Sequence, residues 1–338
     1  MEWRVTILTV AVGVAGAAGA YLLHVPAPFL LGPAVSVTIA GLAGLRTDLP
    51  DKLRDGCFVV VGMGMGSSVT PEVVAAAARW PLSLAILIVA MAGILWGGAR
   101  VLAWALQVDR TTATLASAPG HLSYVLGLGM ETKADLPLLT LIQSLRVLAL
   151  TLLTPPMVVL LTGQALPRML PAVEPMAWAI LVPLALVAAL VGLGLKRLGL
   201  PAAMLLGAMA TSAVGHGTGI TPGGVPLWLS TLGFVFMGSL IGTRFSGVSL
   251  GLLQRACVGA ALLVGLAVVV ASSAAWLASV AFGFSLTSAL IAFAPGGVET
   301  MAAMAFMLQA DPAYVALHHV VRIFSLTFLI PLALPRQD

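Results

Sequence analysis

The stretch that decides the fold is Ala294-Pro295-Gly296-Gly297-Val298-Glu299-Thr300-Met301, which interrupts an apolar run over residues 287–308. Proline removes a backbone donor and glycine disfavours a helix, so we expect the helix to break here and to restart at about Val298. Inside a bilayer such a break is tolerated only where it is buried in protein or lines a watery cavity. A matching stretch, Ala118-Pro119-Gly120-His121, lies 176 residues earlier. Two matched breaks favour a functional site, although a pair of simple kinks between packed helices is the alternative.

The composition is that of a membrane protein. The 338 residues are 60% hydrophobic and only 8% charged, with a mean hydropathy of +1.10, whereas a soluble domain carries about 25% charged residues. Runs of about 20 apolar residues recur from end to end, which predicts an all-α polytopic membrane protein surrounded by lipid. The net charge of +4 reflects basic residues placed for topology, so no nucleic-acid partner is expected.

The sequence offers no constellation for catalysis or for metal binding. Cys57 and Cys257 have no motif spacing, and the five histidines lack the spacing of metal ligands. No glycine-rich phosphate loop, zinc-protease motif or nucleophile elbow is present. We therefore predict a protein that is not an enzyme and that holds no metal and no cofactor.

Many residues match at one offset, which predicts a tandem duplication. The matches at 176 residues join Gly62 with Gly238, Gly66 with Gly242, Pro119 with Pro295, Asp135 with Asp311, Arg146 with Arg322 and Pro155 with Pro331. We predict one membrane unit over residues 1–165 and a second over 172–338, with a proline-containing linker at 164–175. The apolar segments of the first copy are predicted at 5–23, 27–45, 56–75, 80–106, 111–131 and 136–161.

Basic residues discriminate between two topologies for these repeats. If all twelve segments cross, eight basic residues are cytoplasmic and six are outside; if each Pro-Gly segment re-enters on one side, twelve are cytoplasmic and two are outside. The positive-inside rule therefore favours ten crossings plus two re-entrant broken segments in inverted repeats, with twelve crossings in parallel repeats as the alternative. Inverted repeats with broken helices are typical of secondary transporters.

Arg146 and Arg322 lie deep within apolar helices, where an arginine costs about 2.5–3.5 kcal/mol on insertion scales. One interpretation is an arginine fork that coordinates an anion; the other is a neutraliser of a nearby acid or of carbonyls exposed in a broken helix. Gln143 and His319 each precede an arginine by three residues, so each pair shares a helix face. His319 is a candidate for proton coupling, whereas His318 points off that face and is predicted to serve packing or a helix contact.

Glu299 is the acid that the segment map places deep in the membrane, in the first turn after the break. It is interpreted as a proton or cation ligand, or as a local cap or a partner of Arg322. Ser123 and His121 occupy the places of Glu299 and Gly297 in the first copy. This asymmetry suits a site in which one half handles a coupling ion and the other the substrate, and it also suits plain drift.

The duplicated unit, with its Pro-Gly element and a following helix that carries a central arginine, resembles the bacterial membrane AbrB-type proteins over essentially the whole chain. The sharpest part of the resemblance is residues 294–301 together with Asp311 and Arg322. Members have been labelled regulators of gene expression, and some are described as ammonia monooxygenases. The resemblance implies a multi-pass protein of the bacterial inner membrane and fixes no substrate.

These observations predict a secondary transporter of a small anionic organic solute, a carboxylate or an amino acid. The predicted substrate site comprises Gly120, His121, Ser123, Arg146, Gly296, Gly297 and Arg322, and the predicted coupling residues are Glu299 and His319. Oriented N–H groups at the restarted helices would attract the anion. Such a mechanism often comes with a homodimer. The alternative is a membrane-embedded ligand sensor that regulates gene expression, for which this chain offers only short loops as a partner surface.

Overall fold

The computed structural model describes residues 3–68, 77–120, 122–132, 134–163 and 174–335. Over these residues the regular structure is helical, apart from one isolated β-bridge between Pro175 and Gly224. The helices are α1 Trp3–Leu22, α2 Pro28–Leu42, α3 Asp51–Gly66, α4 Trp80–Leu106, α5 Arg110–Ser117, α6 Leu122–Met130, α7 Leu136–Thr162, α8 Trp178–Arg197, α9 Ala203–Gly217, α10 Leu227–Thr243, α11 Leu250–Phe282, α12 Leu286–Phe293, α13 Val298–Met307 and α14 Pro312–Ala333.

Helix length and composition identify the chain as a membrane protein. Six of the described helices, α1, α4, α7, α8, α11 and α14, have at least 18 residues and are apolar enough to cross a bilayer. Their apolar side chains remain exposed on the outside, as at Leu160, which is 83% exposed, because lipid rather than water surrounds such a surface. The prediction of an all-α polytopic membrane protein is confirmed. The number of crossings and the re-entrant course of the Pro-Gly segments stay predictions.

The predicted segments coincide closely with helices, with one difference at α3. This helix begins at Asp51, whereas counting apolar residues placed the start at 56. The first turn is polar, and Pro50 at its N-cap has the extended backbone, φ −61° and ψ 142°, that precedes a helix. Hydropathy alone misses such a turn because its charged side chains face outward. The C-terminal part of the predicted segment, 69–75, and most of the linker at 164–173 lie outside the described residues.

Corresponding turns recur at the offset seen in the sequence. Asp109 caps α5 by accepting the N–H of Thr112 at 2.8 Å, and Ser285, 176 residues later, caps α12 through the N–H of Ser288 at 3.5 Å. Ala27 and Ala202, which precede α2 and α9, have left-handed φ values of 49° and 50°. The helices α1 to α7 thus follow one another in the same order as α8 to α14. Duplication and inversion of the two halves stay predictions.

Two compact units divide the helices, and each unit takes helices from both sequence halves. The first comprises Met1–Ala78, Pro155–Gly247 and Val298–Ala316, and the second comprises Arg79–Thr154, Val248–Gly297 and Leu317–Asp338. The compact units therefore do not follow the predicted repeat boundaries at 1–165 and 172–338.

The first unit is held by close helix contacts at glycine. α3 packs on α9, and α2 packs on both α1 and α10. A Cβ added at Gly62 in α3 would lie 2.8 Å from Ala208 Cβ in α9, so only glycine lets these helices approach so closely. The expectation that the glycine run of this segment serves close packing is confirmed.

In the second unit, the long helices α4 and α11 pack side by side, and each carries a half-helix. α4 packs on α5, and α11 packs on α12. These two half-helices are almost completely buried; in α12 every residue from Thr287 to Phe293 is buried. A helix that ends inside protein must satisfy its last carbonyl groups there, and this requirement determines the geometry of the candidate site.

Candidate functional site

Both Pro-Gly stretches break the helix as predicted. α5 ends at Ser117 and α6 begins at Leu122, whereas α12 ends at Phe293 and α13 begins at Val298. In each break a tight turn follows the half-helix, because the N–H of Gly120 donates to the carbonyl of Ala118 at 2.9 Å and the N–H of Gly296 donates to the carbonyl of Ala294 at 2.8 Å. The two turns are equivalent and leave the carbonyl ends of α5 and α12 without a continuing helix.

Arg146 of α7 supplies a donor to the first of these ends. Its side chain is 1% exposed, and its Nη1 donates to the carbonyl of Ala118 at 2.9 Å. One turn earlier, Gln143 Nε2 donates to the carbonyl of Leu115 at 3.2 Å. The prediction that Gln143 and Arg146 share one helix face is confirmed, and that face contacts the end of α5.

Arg322 of α14 does the same at the second break. Its side chain is also 1% exposed. Its Nη1 donates to the carbonyl of Ala294 at 3.4 Å, and its Nη2 donates to the carbonyl of Gly296 at 2.7 Å. Each arginine thus compensates the partial negative charge at the carbonyl end of a half-helix. Of the two interpretations offered by the sequence, the structure supports the stabilisation of exposed carbonyls.

The Arg146 guanidinium retains donors for a further acceptor. Its Nε and Nη2 are buried and have no hydrogen-bond partner among the residues that the structure describes. A buried charged donor without an acceptor is costly, by about 1–3 kcal/mol or more. An anion that accepted these two donors would remove that cost, so the geometry keeps the anion-binding interpretation open beside the structural one.

The side chain of Arg322 links the two breaks at Gly120. This residue has a left-handed φ of 106°, and a Cβ added to it would lie 3.0 Å from Nη2 of Arg322. The Arg322 guanidinium therefore lies against the turn of the first break while it is bound to the carbonyl of the second. Arg146 and Arg322 flank the same turn, Ala118-Pro119-Gly120. The N-terminus of α6 follows this turn directly and adds a partial positive charge.

The neighbouring histidines have separate environments. His318 Nε2 lies 2.8 Å from Ser83 Oγ of α4, and its ring packs on Phe293 with centroids 5.9 Å apart. The prediction that His318 serves a helix contact is confirmed. His319 is fully buried, and its coupling role stays a prediction.

Glu299 lies in the first turn of α13 and is half-buried. Its charged neighbour in the first unit is Arg244, the residue after α10. Protein atoms around the Arg244 guanidinium displace water from it, and this desolvation lowers its pKa. The Glu299 carboxylate acts in the opposite direction. Sequence reasoning missed this neighbour because the two residues are 55 positions apart and no motif links them.

For three predicted site residues the structure shows little or nothing of the proposed role. His121 lies outside the described residues, and the same holds for the side chain of Ser123, whose backbone belongs to α6. Gly297 is half-buried between α12 and α13. The roles of all three stay predictions.

The hydroxyl groups of the glycine-rich segments bond to their own helices. Ser67 Oγ donates to the carbonyl of Gly64 at 2.7 Å, and Ser239 Oγ donates to the carbonyl of Val235 at 2.8 Å. Local bonds of this kind satisfy a hydroxyl within a bilayer. Within the described ranges no three His, Cys, Asp or Glu side chains are grouped as metal ligands would be.

Comparisons with known proteins place this arrangement in a family. Residues 29–336 match the family model described as "Transition state regulatory protein AbrB". The chain is 30% identical over 270 residues to "Uncharacterized protein YhjN" of Bacillus subtilis (strain 168), which covers 74% of this chain and 68% of that protein. It is 25% identical over 323 residues to "Putative regulator AbrB" of Escherichia coli (strain K12), which covers 93% of this chain and 90% of that protein. No solved structure matches.

Proposed function

Because this chain belongs to the AbrB family of membrane proteins, we propose that it is a secondary transporter of a small anionic organic solute, a carboxylate or an amino acid. We place it in the cytoplasmic membrane of a bacterium as a multi-pass protein. The observation that carries the proposal is the turn Ala118-Pro119-Gly120, which is flanked by the buried guanidiniums of Arg146 and Arg322.

The substrate carboxylate binds at the Arg146 side of this turn. Arg146 Nε and Nη2 are adjacent donors of one planar group without a partner among the described residues, and such a pair matches the two oxygens of a carboxylate. The N-terminus of α6 contributes N–H groups and a partial positive charge. Arg322 acts mainly as the support of the second turn, because two of its nitrogens already donate to the carbonyls of Ala294 and Gly296.

Coupling of transport to a proton or a cation is assigned to Glu299 and His319. Glu299 is half-buried in the first turn of α13, with Arg244 as a charged neighbour. Histidine is the side chain that ordinarily changes charge near neutral pH, and His319 lies one turn before Arg322. Alternating access follows from movement of the broken helices against the other helices, in a homodimer. The protein has no catalytic role in this proposal.

The test is solute uptake into proteoliposomes with matched arginine variants. The solutes are radiolabelled monocarboxylates, dicarboxylates and amino acids, with and without a proton or sodium gradient. We expect Arg146→Gln to reduce uptake by about 10- to 100-fold, because hydrogen bonds to charged groups contribute about 1.5–3 kcal/mol. Glu299→Gln should abolish the response to the gradient. Arg255→Gln is the control, since Arg255 is an exposed arginine of α11 away from both breaks.

Folding is checked by size-exclusion chromatography and thermal unfolding of each variant. If Arg146→Gln and Glu299→Gln fold and transport like the unmodified protein, the site assignment is wrong. Arg146→Lys separates charge from geometry, because lysine retains the positive charge and loses the planar fork. We expect its uptake to stay well below that of the unmodified protein.

The second candidate function is a membrane-embedded sensor that binds the same anion without moving it. It is favoured by the name of the Escherichia coli relative, "Putative regulator AbrB". A sensor would bind the anion in a thermal-shift assay, show no uptake in proteoliposomes, and retain a cytoplasmic partner on purification. A transporter would show both binding and uptake.

A further inference from the structure

We propose that the groove at the end of α4 and the start of α5 binds the phosphate headgroup of an anionic membrane lipid. The groove has a volume of about 540 Å³. Trp96, Arg100 and Trp104 line it from successive turns of α4, and Arg110 lines it from the first residue of α5. This inference does not depend on the transport function.

The two arginines are available to a ligand. Both are exposed, and among the described residues neither has a carboxylate within 4.0 Å. Arg100 Nη1 makes a long bond of 3.4 Å to the carbonyl of Trp96. Asp109, the acid next to Arg110 in sequence, is engaged by Thr112 through N–H and hydroxyl contacts of 2.8 and 2.6 Å. Two guanidiniums facing one groove suit a phosphate, whose oxygens accept forked donors.

The surroundings of the groove indicate that the phosphate belongs to a lipid. α4 is one of the helices that can cross a membrane, with a mean hydropathy of 2.2 over 18 residues. Val89 and Trp104 of this helix are 72% and 78% exposed, so its outer surface is covered by lipid tails rather than by water. Tryptophan is enriched at the level of the lipid headgroups. A free phosphate ion has no apolar part that could contact these exposed apolar side chains, whereas a lipid has.

The corresponding place in the second half lacks the basic residues. Arg100 corresponds to Trp276 and Arg110 corresponds to Leu286 at the offset of 176. The arginine pair is thus confined to one end of the second unit's long helices. The positive-inside distribution assigns that end to the cytoplasm, where anionic lipids attract basic residues with about 1 kcal/mol each.

The experiment measures lipid binding to delipidated protein in a neutral detergent. Brominated phosphatidylglycerol and brominated phosphatidylcholine are titrated into protein in which the other exposed tryptophans are replaced by phenylalanine (Trp3, Trp178, Trp228 and Trp276). Quenching of tryptophan fluorescence then reports occupancy beside Trp96 and Trp104. We expect a preference for phosphatidylglycerol that falls about 5-fold in Arg100→Gln, about 5-fold in Arg110→Gln and about 30-fold in the double variant. Arg255→Gln, an exposed arginine of α11 outside the groove, should keep the preference.

Each alternative result has a defined meaning. An unchanged preference in the double variant, or an equal loss in Arg255→Gln, would overturn the proposal. Displacement of the brominated lipid by inorganic phosphate at millimolar concentration would show that the groove takes free phosphate and would also overturn it. Both single variants alter exposed side chains and should fold normally. The double variant Arg100→Lys/Arg110→Lys should bind phosphatidylglycerol more tightly than the double glutamine variant and less tightly than the unmodified protein. Lysine keeps the positive charge and lacks the planar fork of arginine.

Discussion

The contact between Gly120 and Arg322 predicts that Gly120→Ala is strongly unfavourable. Gly120 has a φ of 106°, and the added Cβ would lie 3.0 Å from Nη2 and 3.4 Å from Cζ of Arg322. A non-glycine residue in such a conformation costs about 1–3 kcal/mol. The guanidinium must also move, and if its 2.7 Å bond to the carbonyl of Gly296 is lost, about 1.5–3 kcal/mol more is lost with it.

The assay is equilibrium unfolding of the purified protein in detergent micelles. Gly127→Ala is the matched control, because Gly127 lies in α6, the short helix after the turn, and nothing lies within 4 Å of its added Cβ. That control should be neutral or stabilising by up to about 1 kcal/mol, since alanine favours a helix over glycine. The two substitutions are chemically identical, and only Gly120→Ala is expected to destabilise the protein.

A double-mutant cycle isolates the contribution of the contact. In an Arg322→Ala background, Gly120→Ala should cost only its backbone part, which leaves a coupling energy of about 0.5–3 kcal/mol. If Gly120→Ala unfolds at the same denaturant concentration as the unmodified protein, the reasoning about the turn is refuted. If its cost is equal with and without Arg322, the contact between Gly120 and Arg322 is refuted.

Two further predictions concern the first unit. Asp55 accepts a 2.7 Å hydrogen bond from Lys196. Burial disfavours the charged carboxylate, but the hydrogen bonds from Lys196 and Arg54 have the larger combined effect and lower the pKa of Asp55 below its ordinary value. The ion pair therefore contributes stability above the ordinary pKa and loses it as the pH falls through the lowered value. Asp55→Asn should remove about 0.2–1 kcal/mol at neutral pH and flatten the acid limb of a plot of unfolding temperature against pH. Gly62→Ala should destabilise by about 1–3 kcal/mol, because its Cβ would lie 2.8 Å from Ala208 Cβ in a packed contact; Gly56→Ala, on the same helix with open space around it, should not. Equal unfolding temperatures for the two alanine variants would contradict the packing argument.

Local features of the sequence were sufficient to predict several parts of the structure. The Pro-Gly breaks follow from a missing backbone donor and missing side chains, and they end α5 and α12 where expected. The shared face of Gln143 and Arg146 follows from a spacing of three residues on a helix. Both effects depend only on residues within one helical turn, so the local sequence is enough to predict them.

Contacts across long sequence separations were not predictable in the same way. The sequence offers Arg322 as a partner of Glu299 and gives no indication that Arg244 lies near it. Neither hydropathy nor helical spacing reports a contact between residues 55 positions apart. The polar first turn of α3 was missed for a related reason: its start depends on backbone geometry at Pro50 and not on apolar residues.

The sequence alone determined that this protein is an all-helical membrane protein with two interrupted helices and two buried arginines, because apolar composition, proline and glycine act locally. Tertiary structure alone decided that the arginines bind the carbonyl ends of those helices and that Gly120 lies against Arg322. These contacts join residues up to 202 positions apart. Only the packing of whole helices brings them together, since no local preference extends over such a distance.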